Sequence, residues 1–135
     1  MSCSATCADT TADTSSVFLG STPFGFDFED GEFPSPWNDK ALVALHGEEG
    51  TWTGARVVAV SLDPTTGSPV PSSPDGGTVT TDGGTTPVIS DFVRGWDDGT
   101  LSHGRPADIA ISSDGRVFIA NDVTGEIFWI APVSP

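Results

Sequence analysis

Apolar and polar residues fall into short runs along this chain, each bounded by Gly, Pro or an Asp-Gly pair, and the runs carry the period of strands. The densest series lies in residues 104–130. Ala107-Asp108-Ile109-Ala110-Ile111 puts Ala107, Ile109 and Ile111 on one face, and Ser113-Asp114-Gly115-Arg116 holds an Asp-Gly pair suited to a tight hairpin. Val117-Phe118-Ile119-Ala120 is an apolar run of buried-strand length. After Asn121-Asp122-Val123-Thr124-Gly125, Ile127-Phe128-Trp129-Ile130 repeats that pattern. The three runs predict a meander, as in the inner strands of a propeller blade or in any antiparallel sheet.

Upstream, Phe24, Phe26 and Phe28 alternate with Gly25, Asp27 and Glu29, which predicts a strand with an aromatic inner face and a polar outer one. Phe33-Pro34-Ser35-Pro36-Trp37 is a Pro-fixed loop whose two large aromatics are placed to cover a core edge. Ala41-Leu42-Val43-Ala44-Leu45-His46 is apolar nearly throughout, reads as buried on both faces, and delivers His46 to a strand end. Across the loop 47–54, which holds Glu48, Glu49 and Trp52, it forms a hairpin with Arg56-Val57-Val58-Ala59-Val60-Ser61-Leu62. Val88-Ile89-Ser90-Asp91-Phe92 predicts a fourth, outer strand. The expected class is all-β: an antiparallel four-strand unit, then a three-strand unit, with helix almost absent because no window sustains a 3.6-residue period without Gly or Pro.

The rest is polar. Residues 1–16 lack any apolar period and read as a disordered leader that includes Cys3 and Cys7, which have no second Cys/His pair for a structural zinc. Val17-Phe18-Leu19 reads as a short edge strand. Residues 63–87 are rich in Pro, Gly, Ser, Thr and Asp. Their two Asp-Gly-Gly-Thr copies lack the nonapeptide period of a calcium roll, so an extended surface loop is expected.

Charge narrows the partners. With 19 Asp and Glu against 5 Lys and Arg, the 135-residue chain has a net charge of -14, which argues against nucleic acid and against anionic membrane surfaces. No apolar run reaches the roughly 20 residues of a transmembrane helix, and no basic start with an apolar segment marks a secretory signal, so the chain as written is expected to be cytoplasmic. The acidity itself reads as a strongly hydrated surface. With so few cations, an Arg in a cleft becomes informative.

Taken in order, Phe33-Pro34, Ala41-Leu42-Val43-Ala44-Leu45-His46-Gly47, Thr53-Gly54-Ala55-Arg56-Val57-Val58, Asp91-Phe92-Val93-Arg94-Gly95-Trp96, Gly104-Arg105-Pro106-Ala107-Asp108-Ile109-Ala110 and Ser113-Asp114-Gly115-Arg116-Val117-Phe118-Ile119-Ala120-Asn121-Asp122 resemble the C-terminal part of the glucose/sorbosone dehydrogenase family. The resemblance covers residues 20–130. It implies two blades of a six-bladed β-propeller over residues 17–135, often exported in that family, and a site for pyrroloquinoline quinone (PQQ) that oxidises sugars with the help of calcium. It points to Arg105 as a guanidinium partner of the quinone carboxylates, to His46 as a polar cofactor contact, to Trp52 as a wall of the site, and to His103 as a further candidate.

The chain departs from the family after His46-Gly47. Members commonly continue with a small residue, Trp, Asn and Arg, whereas Glu48-Glu49-Gly50-Thr51-Trp52-Thr53 is acidic. A closed ring of at least four blades needs upwards of ~160 residues, so the chain is expected to be a closing segment, inactive alone. The alternative is a non-enzymatic sheet module whose open edges are covered by another chain or by self-association.

Overall fold

The computed structural model describes residues 22–67, 78–81, 84–97 and 103–133. Among these described residues nine strands follow in chain order: β1 (Pro23–Phe28), β2 (Lys40–Leu45), β3 (Arg56–Ser61), β4 (Thr78–Thr81), β5 (Gly84–Pro87), β6 (Ile89–Val93), β7 (Pro106–Ile111), β8 (Val117–Asn121) and β9 (Glu126–Ile130). They form a four-stranded antiparallel sheet in the order β1-β2-β3-β6, a three-stranded antiparallel sheet β7-β8-β9, and the hairpin β4-β5. Among the described residues there is no helix, and none is long and apolar enough to cross a membrane. The expected all-β class and both strand units are present. The leader 1–16, the edge strand Val17-Phe18-Leu19 and both cysteines lie outside the described residues.

Register explains which side chains meet. β2 pairs with β3 so that Leu42 faces Ala59 and Ala44 faces Val57, and these four lie on the side turned toward the second sheet. There they join Ile109, Val117 and Ile119, with Phe33, Ala55 and Trp96 closing the same core. Residues of the other parity, Ala41, Leu45, Val58 and Val60, form a separate cluster with Val43, Leu62 and Ile89. In β8, Val117, Ile119 and Asn121 are buried while Phe118 and Ala120 between them are half-buried, the alternation of a strand with one core face. Truncating a fully buried side chain such as Ile119 would cost roughly 2–5 kcal/mol.

β1 reverses the expectation. Phe24, Phe26 and Phe28 do not face the core; they are exposed, and the small and polar residues between them turn inward. The reason is the close approach of β1 to β7. A Cβ on Gly25 would lie 2.1 Å from Asp108 Oδ1, 2.6 Å from Asp108 Cα and 2.9 Å from the Ala107 carbonyl oxygen. No aromatic fits that gap. One turn of the alternation further on, Asp27 Oδ2 accepts the Ile111 N–H at 2.7 Å, satisfying a backbone donor on the open side of β7.

Two other expectations are corrected. The stretch 63–87 is not loop throughout, because β4 and β5 pair antiparallel from Thr78–Pro87 to Thr81–Gly84; the β-branched Thr and Val on either side of an Asp-Gly pair carry enough strand preference to make a hairpin. β9 does not repeat the buried pattern of β8, since Ile127, Phe128 and Trp129 are exposed on an edge strand, with Phe128 leaning edge-on against Trp96 at 6.0 Å. The Phe33 and Trp37 loop does seal the core. Its conformation depends on the buried Glu29 carboxylate, which accepts the N–H groups of Gly31, Phe33 and Asp39 at 3.0, 2.8 and 2.6 Å. Phe33 and Trp37 then both pack edge-on against Phe92.

If the β1–β7 approach sets the sheet-to-sheet distance, Gly25→Ala pushes the two sheets apart. A loss of about 1–3 kcal/mol is expected, read from the urea unfolding midpoint, with secondary structure retained in circular dichroism. An unchanged midpoint would show that the backbones do not meet there.

Candidate functional site

The β1–β7 contact also brings together one end of each sheet. At the end of β2 the backbone N–H of His46 donates to the Thr22 carbonyl at 3.0 Å, which holds the imidazole just beyond the strand. Gly47 follows with φ +85°, and a Cβ there would lie 2.4 Å from the Trp52 carbonyl oxygen, so only glycine lets the loop fold back. The loop closes on itself: the Glu48 N–H donates to the Thr53 carbonyl at 2.9 Å and the Trp52 N–H to the Glu48 carbonyl at 2.6 Å. Trp52 takes a left-handed φ of +59°, a strained backbone for a bulky residue. That turn aims its indole back across the end of the sheet.

From the second sheet comes Arg105, immediately before β7. Its backbone N–H donates to Asn121 Oδ1 at 2.9 Å, and Asn121 at the end of β8 is buried. Gly104 is needed here too, because a Cβ would meet Asn121 Nδ2 at 2.3 Å and Trp96 Cδ1 at 2.8 Å. The Arg105 guanidinium donates through Nε and one Nη to the two carboxylate oxygens of Asp122, both at 2.6 Å, and lies 4.0 Å over the Trp52 ring. These partners fix both its plane and its face.

The result is a cleft of about 340 Å³ lined by Thr22, Phe24, His46, Glu49, Trp52, Arg105 and Asp122. Phe24 stacks on His46 with ring centroids 3.7 Å apart, and Trp52 meets the imidazole edge-on at 6.2 Å. His46 is 4% exposed, and its Nε2 is buried without a hydrogen-bond partner. Asp122 Oδ2 is 3.8 Å from that nitrogen, within ion-pair reach but too far for a hydrogen bond.

The electrostatics follow from these contacts. Burial lowers the His46 pKa below its ordinary 6.5, with Asp122 opposing that shift and Arg105 adding to it, so the ring favours the neutral form. The hydrogen bonds between Arg105 and Asp122 raise the arginine and lower the aspartate, which keeps both charged. A neutral imidazole nitrogen in an aromatic wall, next to a held guanidinium, can bind a planar group bearing an oxygen anion or a hydroxyl.

Three residues picked from the sequence therefore share one cleft: His46, Trp52 and Arg105. His103 does not line it; its N–H donates to the Trp96 carbonyl at 2.5 Å. Sequence reasoning missed Phe24, taken for a core residue, and the pair Asn121-Asp122, read only as a turn. An Asn-Asp pair at the end of a strand, level with Arg105 before the neighbouring strand, is the signal that could have found them. Among the described residues, no group of three or more His, Cys, Asp or Glu is placed to hold a metal ion. Compared with known proteins, the chain matches no family model, no curated protein and no solved structure.

The lowered His46 pKa sets a pH dependence with a definite sign. Between the folded value and 6.5 the unfolded chain binds more protons, so this contribution is complete above 6.5 and is lost as the pH falls toward the folded value. Unfolding midpoints should thus decrease from about pH 7.5 to about pH 5.5, and His46→Gln should flatten that slope. The Asp122 contribution lies lower, below its ordinary 3.8, and does not overlap this window. An equal slope in wild type and variant would remove His46 as its source.

Proposed function

We propose that the four-stranded and three-stranded sheets are two adjoining blades of a β-propeller of the quinone-dependent sugar dehydrogenase type, and that the cleft between their ends is this segment's share of the cofactor site. One observation carries the reading. His46 and Arg105, each from a stretch that resembles the family, and Trp52, from the loop that departs from it, line a single cleft in which a buried imidazole nitrogen lacks a partner. Antiparallel sheets packed face to face, one in chain order and the other interrupted only by the β4-β5 hairpin between β3 and β6, are also compatible with blades.

The residues fit a planar polyanion in part through shape and in part through charge. Phe24 and Trp52 supply aromatic walls, Arg105 a guanidinium, and His46 Nε2 a hydrogen-bonding atom without a partner in the protein. Glu49 and Asp122 bring negative charge to the same cleft, and Asp122 already engages Arg105 through two bonds. Arg105 would therefore hold a quinone carboxylate through its remaining donors, with Asp122 fixing its orientation. Bound PQQ supplies the hydride-accepting carbonyl chemistry. The chain's own groups bind and orient it, and two blades leave the rest of a ring to be supplied by further sheets. The exposed aromatic row of β1 favours the second reading, a non-enzymatic sheet module, if no quinone binds.

Titration of the full chain with PQQ, with and without calcium, and read by quenching of tryptophan fluorescence, tests the assignment. Quenching is expected, with Arg105→Ala weakening the affinity about 10- to 150-fold, the loss of a charged hydrogen bond of ~1.5–3 kcal/mol. Absence of quenching in wild type, or an affinity unmoved by Arg105→Ala, would sink the quinone assignment.

A further inference from the structure

The cleft at the ends of β2 and β7 has a charge balance that works against the anion its guanidinium is placed to hold. The charged groups that share it with His46 come from three elements: Glu49 from the loop 47–54, Arg105 from the start of β7, and Asp122 from the turn after β8. Next to them β1 and the residue before it bring only the uncharged Phe24 and Thr22, and Glu48 of the same loop, which accepts the Thr51 hydroxyl at 3.2 Å, does not line the cleft. With the imidazole neutral, one guanidinium stands against two carboxylates. The cleft is then negative by one charge inside a chain of net charge -14, and an anion that reaches Arg105 enters against both fields. One proton on His46 removes the local deficit.

The surroundings of Nε2 explain why that proton is absent until an anion arrives. The ring is stacked under Phe24, is almost wholly buried, and has no hydrogen-bond partner at Nε2. A proton there would have Asp122 Oδ2 within ion-pair reach at 3.8 Å, but that oxygen already accepts an Arg105 Nη at 2.6 Å. A buried cation that makes no hydrogen bond is costly, which is how burial draws the His46 pKa below 6.5. Because a single Asp122 oxygen is near both the Arg105 Nη and His46 Nε2, the two nitrogens are close enough for one oxyanion to touch both. Such an anion supplies negative charge beside the ring and an acceptor for Nε2–H. Proton and anion each create the partner that the other lacks.

We propose that the cleft takes its anion together with a proton: an oxyanion, carboxylate or sulfate, binds across Arg105 and His46, and near neutral pH His46 is protonated only in that complex. Phe24, 61% exposed at the start of β1, is the cover that turns aside to admit it. The inference rests on the carboxylate-holding role given to Arg105 above and adds the condition under which that role operates. By linkage, the anion raises the proton affinity of His46 by the same factor as the proton raises the affinity for the anion. Between the His46 pKa of the free protein, below 6.5, and the higher one of the complex, anion affinity therefore falls with rising pH, by about tenfold per pH unit at the limit of one coupled proton. A site that held its anion through Arg105 alone would show no such slope.

Sulfate is the probe, because it stays a dianion across the histidine range and brings no proton of its own. Proton NMR of the full chain follows the imidazole signals of its two histidines from about pH 5 to about pH 8 at constant ionic strength, with and without sulfate. Sulfate should raise the His46 midpoint, with His103, which does not line the cleft, as the reference for general salt effects. Sulfate affinity, read from the amide signals of residues 47–54, should fall about three- to tenfold from about pH 6 to about pH 7. In His46→Gln, which also assigns the imidazole signals, the affinity should no longer change with pH, and in Arg105→Gln sulfate binding should be lost. Circular dichroism confirms that the variants fold, and the wild-type titration stands without them. A His46 midpoint that sulfate leaves in place, equal movement of both histidines, or a slope retained in His46→Gln would each overturn the proposal. Quinone binding is read separately. Coupled sulfate binding without quenching by PQQ keeps the proton-linked site and removes the quinone assignment, whereas quenching with an affinity that does not change with pH does the reverse.

Discussion

The close approach of β1 to β7 at Gly25 is the constraint on which the rest depends. Two backbones meet where a single added carbon would lie 2.6 Å from the Asp108 Cα, and Asp27 ties the same strands together through the Ile111 N–H. Once that contact exists, the parity of β1 is settled: Gly25 and Asp27 point inward and the phenylalanines outward. The same contact places the end of β2, with His46, beside the start of β7, with Arg105. Core, cleft and exposed aromatic row are three results of one short distance.

This explains how much could be read in advance. Strand positions were legible because period and punctuation are local, and β2, β3, β7 and β8 appear where the apolar runs placed them. The face of β1 was not legible. Three alternating phenylalanines signal an amphipathic strand, but which face is inner depends on what the other side must approach. A glycine that fits against a neighbouring backbone outweighs aromatic burial here. β9 misled for a related reason: its residues are as apolar as those of β8, yet among the described residues it has a neighbouring strand on one side only. In the 63–87 stretch, turn-rich composition concealed a short pair of Thr-rich strands.

The site divides along similar lines. His46, Trp52 and Arg105 could be named because chemistry singles them out in a chain with few cations and few histidines. Their companions could not, because Asn121 and Asp122 do their work through position. Asn121 is buried and fixes the backbone of Arg105, while Asp122 takes the guanidinium fork. Trp52 shows both kinds of information. Its identity is plain in the sequence, but its place over Arg105 depends on a left-handed backbone that the Gly47 fold-back makes possible.

The charge balance gains meaning in the same way. All four arginines are ion-paired with an aspartate: Arg56 and Arg94 with Asp91, Arg105 with Asp122, Arg116 with Asp114. In so acidic a chain, cations are scarce and aspartates are not, so pairing alone does not mark a functional arginine. What distinguishes Arg105 is the conjunction of a two-pronged pair and an aromatic face beside a buried nitrogen without a partner. Exposed pairs of this kind contribute little to stability, commonly less than about 1 kcal/mol. The value of the Arg105–Asp122 pair lies in orientation, since it holds a cation in one plane at the rim of a cleft. The acidic surface around it sets a second condition. An anionic ligand must meet that guanidinium directly to be held, because the field of the chain as a whole repels it.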